Sequence, residues 1–141
     1  MIYADRLNSR IDQYIDRVNA LMANKGMFDG VFGLGHHPKN DPCHVEFFED
    51  VKKMVSECVA ESPSAEEADS FAETLIKANA VRGDLPEVQM MYIPIQGLAV
   101  QLVPYMSEAK KKELGEWFSN SVPRRMRMPV QRDLCKAFGV K

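Results

Sequence analysis

Cysteine is scarce in this chain: Cys43, Cys58 and Cys135 are its only three, widely spaced. An odd, scattered set of that kind excludes a disulfide framework and fits a reducing compartment, here read as the cytoplasm. No stretch alternates apolar and polar residues for long enough to specify a strand, which argues against a sheet. The first residues, Met1-Ile2-Tyr3-Ala4-Asp5-Arg6, lack a basic region followed by an apolar run, so no signal peptide is expected. Long charge-free runs are also rare. Val88 to Ser107 is one, long enough to span a bilayer, yet it carries Gln89, Pro94, Gln96, Gly97, Gln101 and Pro104. Its polar content points to a buried central helix, bent or broken near Pro94, and to no membrane span. Phosphate-binding loops, nucleophile elbows, paired-carboxylate motifs and calcium loops are all missing. Gly33-Leu34-Gly35 is no dinucleotide fingerprint, since no strand precedes it and the third glycine is lacking.

What is present is apolar periodicity. The 141 residues are 45% hydrophobic and 27% charged, enough apolar surface for one domain, 1–141, with one core. Leu7, Ile11, Tyr14, Val18 and Leu21 recur at helical spacing and form one stripe, with Asp5, Arg10, Asp12, Asp16 and Arg17 off it. Asn24-Lys25-Gly26 is a plausible stop. Asp41-Pro42 predicts a second helix start, Asp41 as cap and Pro42 in the first turn, with Phe48, Val51, Met54, Val55, Cys58 and Val59 buried. Ser64 and Glu67 form a capping-box pattern before a small-residue face of Ala68, Phe71, Ala72, Leu75 and Ala78. Asp84-Leu85-Pro86-Glu87 opens the central fourth helix, and Ser107 caps a fifth that carries Leu114, Trp117 and Phe118. Pro129 begins a short last helix with Val130, Leu134 and Phe138 on one face and Gly139 after its end. The expected fold is all-α, an irregular bundle of five to six helices around an apolar fourth.

Two stretches carry candidate chemistry. All three histidines fall in Gly35-His36-His37-Pro38-Lys39-Asn40-Asp41-Pro42-Cys43-His44, with Glu46 beyond. Imidazole, thiolate and carboxylate are the side chains that bind transition metals or move protons near neutral pH. His36, His37, Cys43 and His44 are therefore the candidate metal ligands, for zinc, in a metal-binding protein or metal-dependent hydrolase. The spacing argues the other way. Cys43 and His44 are adjacent and project about 100° apart around a helix, and no Cys-x-x-Cys or His-Glu-x-x-His is present. The plainer reading is that these side chains cap the helix and bind the loop, with no cofactor. A thiolate at Cys43 would be favoured by a helix N-terminus and nearby imidazoles, although no third, orienting residue can be named.

The second stretch is Val122 to Arg132, with Arg124, Arg125, Arg127 and Arg132 and no acid. It belongs to a charge split. Residues 108–141 hold nine basic and four acidic side chains, net +5, and residues 1–107 hold net −7. Residues 41–87 alone carry twelve acids and four bases. Arginines on an irregular segment beside a helix N-terminus can grip phosphates bidentately, and two helices joined by a short connection have the outline of a helix-turn-helix, with Gln131 and Arg132 as base readers. The plainer reading is an ordinary solvated basic surface, or an intramolecular match for the acidic second and third helices. A glycine-rich apolar loop from Gly26 to Asn40 offers a further contact surface through Phe28 and Phe32. With no complete catalytic constellation, the leading expectation is a small, intracellular, non-enzymatic interaction module for a protein partner, a second copy of itself, or nucleic acid.

Overall fold

The computed structural model of the protein describes residues 1–23, 41–81 and 86–140. These form six α-helices, and no strand occurs among the described residues: α1 (Ile2–Ala23), α2 (Cys43–Ala60), α3 (Ala65–Val81), α4 (Pro86–Leu98), α5 (Glu108–Ser121) and α6 (Pro129–Ala137). A 3-10 segment, Ala99–Tyr105, continues from α4, and a 3-10 turn, Arg124–Met126, links α5 to α6. The fold is all-α, as the periodicity predicts.

The apolar stripe of α1 faces α2 and α3. Leu7, Ile11, Tyr14 and Val18 are buried, while Leu21 is half-buried near the helix end. On α2 the fully buried aromatic is Phe47, and Phe48 is only half-buried. Phe47 lies one turn before Val51 and stacks on Tyr14, ring centroids 4.2 Å apart and nearly parallel. That partner on α1 decides which of the two phenylalanines turns inward. Ala68, Phe71, Ala72, Leu75 and Ala78 of α3 are all buried, the small side chains admitting α1 closely.

The capping box at Ser64 is half realised. Ser64 Oγ accepts the Glu67 N–H at 3.2 Å. The Glu67 carboxylate instead accepts the Tyr3 N–H at 2.8 Å, so it satisfies an open donor in the first turn of α1. Ser107 caps α5 as predicted, accepting the Lys110 N–H, and both its own N–H and its hydroxyl donate to Asp69 of α3. The break in the central segment falls after Leu98 and not at Pro94, which sits inside α4. Pro104 lies near the end of the 3-10 segment that follows. α4 and this segment pack against α2, α3 and α6 and bury Tyr92, Ile95, Leu98, Ala99 and Leu102. No helix among the described residues is long and apolar enough to cross a membrane.

Candidate functional site

The start of α2 brings Asp41, Cys43 and His44 against α1. Asp41 caps the helix, its Oδ2 accepting the Cys43 N–H at 3.0 Å, while its Oδ1 receives Arg17 at 3.2 Å. The Cys43 thiol also donates to this carboxylate, and that bond, first, together with Arg17, holds Asp41 below the usual carboxylate range. His44 is buried in the first turn, its Nδ1 2.7 Å from Tyr14 Oη, with its ring edge-on to Tyr14. A hollow of about 250 Å³ lies alongside, lined by residues that include Arg10, Tyr14, Arg17, Asp41 and Cys43.

This geometry corrects one expectation. The Cys43 thiolate is not favoured: burial, and then the Asp41 carboxylate, push the thiol up to about 12. Cys43 at neutral pH is a hydrogen-bonded thiol in the core. Asp41 and His44 are tied to α1, through Arg17 and Tyr14. His36 and His37 lie outside the described residues, as do Phe28 and Phe32 of the glycine-rich loop. Among the described residues, no group of three or more His, Cys, Asp or Glu side chains is placed to hold a metal ion. Tyr14, the partner sequence reasoning missed, lies thirty residues away. Its signal was a hydroxyl within an apolar stripe, because a buried tyrosine needs a hydrogen-bond partner.

The arginine segment is held by two polar clamps. Arg127 is buried, its Nε donating to the Val122 carbonyl at 3.1 Å and its terminal nitrogen to Ser119 Oγ at 3.3 Å. These bonds close the connection back onto the end of α5. Gln131 is buried as well, and its carbonyl accepts the Met128 N–H at 2.9 Å. Its amide donates to Gln96 Oε1 at 3.4 Å, and Gln96 in turn donates to the Ile76 carbonyl of α3 at 2.9 Å. The chain of amides fixes the start of α6 to α4 and α3. Gln131 is thus unavailable as a base reader. Val130, expected on the buried face, is partly exposed and rests against Gly97 of α4.

Arg124, Arg125, Arg132 and Lys136 are exposed, and none makes an ion pair among the described residues. Three acids of the second and third helices pair with other cations. Arg6 pairs with Glu57, Arg10 with Asp50 and Lys110 with Glu73. The basic end therefore meets the acidic half through α5, at Lys110, and leaves these four cations facing outward. Compared with family models, curated proteins and solved structures, the chain matches none.

Proposed function

We propose that this chain is a non-enzymatic helical interaction module that binds nucleic acid through its phosphate backbone, using the face built from the Arg124–Met126 turn and α6. The observation that carries this reading is the set of exposed cations, Arg124, Arg125, Arg132 and Lys136, left without ion pairs on a rigid turn and helix. Arginine suits phosphate because its planar fork donates two parallel hydrogen bonds. Burial of Gln131 leaves Arg132 as the one base reader of the two the sequence offered, so the mode is backbone contact and not sequence readout. The buried, protonated Cys43 thiol supports a non-catalytic role for the helix-start cluster.

Fluorescence anisotropy with a labelled duplex tests the reading. Backbone binding falls steeply between about 50 and 200 mM salt, with a slope in log–log form of about −0.9 per phosphate neutralised. Arg124→Ala with Arg125→Ala lowers affinity and makes that slope shallower. No binding at the low end of the salt range overturns the proposal, as does binding that ignores the double substitution.

A further inference from the structure

We propose that the cleft between the Arg124–Met126 turn and α6 is the seat of one phosphate group. The inference rests on the reading above and deepens it by naming where the anion sits. The cleft has a volume of about 200 Å³ and is lined by Arg124, Arg127, Arg132, Cys135, Lys136 and Val140. Four of those six side chains are cationic and none is a carboxylate. Like charges converging on so small a space repel one another, and an anion placed among them turns that repulsion into attraction. Cys135 and Val140 supply apolar wall between the cations, which reduces solvent screening of a charge held there.

The groups are also arranged for the task. Arg127 is buried and anchored from behind by the Val122 carbonyl and Ser119, so its position is set before any ligand arrives. Arg124 and Arg132 are exposed and come to the cleft from two different elements, the 3-10 turn and α6. Lys136, one turn after Arg132 on α6, adds a point charge on the same side. A tetrahedral anion with several acceptor oxygens matches donors arriving from three directions better than a planar carboxylate does.

The test is a titration of the intact protein with inorganic phosphate, followed by amide NMR, against chloride at matched ionic strength. Saturable shifts confined to residues 124–127 and 132–140 are expected with phosphate and not with chloride. Arg132→Gln and Arg124→Gln each weaken phosphate binding by about tenfold, the scale of one lost charge-assisted hydrogen bond. Their otherwise unchanged spectra show that the fold is intact. Arg125 is exposed on the same turn but does not line the cleft. Arg125→Ala therefore weakens duplex binding and leaves phosphate affinity unchanged. Shifts equal in chloride, or phosphate affinity indifferent to Arg124→Gln and Arg132→Gln, overturn the cleft while leaving salt-dependent duplex binding standing. Phosphate binding without any duplex binding overturns the proposed function and leaves the cleft.

Discussion

Asp41 shows how much one side chain can organise at the start of a helix. In sequence it stands among three imidazoles and a thiol, where a metal site is a natural thought. In the structure its two oxygens are shared between the Cys43 backbone, the Cys43 thiol and Arg17. Each bond favours the ionised carboxyl, so its pKa is lowered on folding and the unfolded chain holds the proton more tightly. The resulting stability is present above the unfolded value of 3.8 and is lost as pH falls through the lower folded value. Acid titration of stability should therefore show a component that disappears in Asp41→Asn; identical acid limbs in the two proteins would contradict the assignment. Burial, and then the same carboxylate, keep Cys43 protonated. A thiol reagent at neutral pH should label Cys43 only when the protein unfolds, and mass spectrometry that finds it modified within the dead time of mixing would overturn that description.

At the scale of elements, the sequence is legible wherever one helix face decides the outcome. The stripe of α1, the small-residue face of α3 and the Ser107 cap all appear where periodicity and capping chemistry place them. What could not be read locally are the choices made by a partner on another element. Phe47 turns inward instead of Phe48 because Tyr14 offers it a stacking face. Glu67 leaves its own helix to serve Tyr3. The central segment breaks after Leu98, with Pro94 accommodated inside α4 and Pro104 inside the 3-10 stretch. Gln131 reads as a surface base reader because α6 is short and polar, yet it closes a chain of amides to α4 and α3. Gln131→Ala would strand the Met128 N–H and the Gln96 carbonyl oxygen. A loss of about 1–3 kcal/mol is expected in urea unfolding. A neutral result would mean that this clamp does not hold the arginine face.

For the whole molecule, the decisive property is how charge is apportioned. A chain of net charge −2 would not ordinarily be suspected of binding phosphates. Three acids of its second and third helices, Glu57, Asp50 and Glu73, are however paired with Arg6, Arg10 and Lys110 from α1 and α5. Glu73 alone accepts both Lys77 and Lys110, which hold its carboxyl below the usual range. The exposed cations of the last turn and helix take no part in those pairs. The sequence shows the asymmetry but not which cations are consumed, because the pairs join residues 37 to 51 positions apart. Arg127 is fixed by the Val122 carbonyl and Ser119, whereas its three arginine neighbours are exposed. The candidate face was thus half legible: the segment could be named from composition, and its working members only from the packing.

The most direct test of this account is the salt dependence of duplex binding, measured for the unaltered protein and for the Arg124→Ala, Arg125→Ala double variant. The account predicts affinity that drops steeply over about 50 to 200 mM salt, and a shallower slope in the variant because fewer counterions are released. Absence of binding at low salt, or identical slopes for the two proteins, would contradict it.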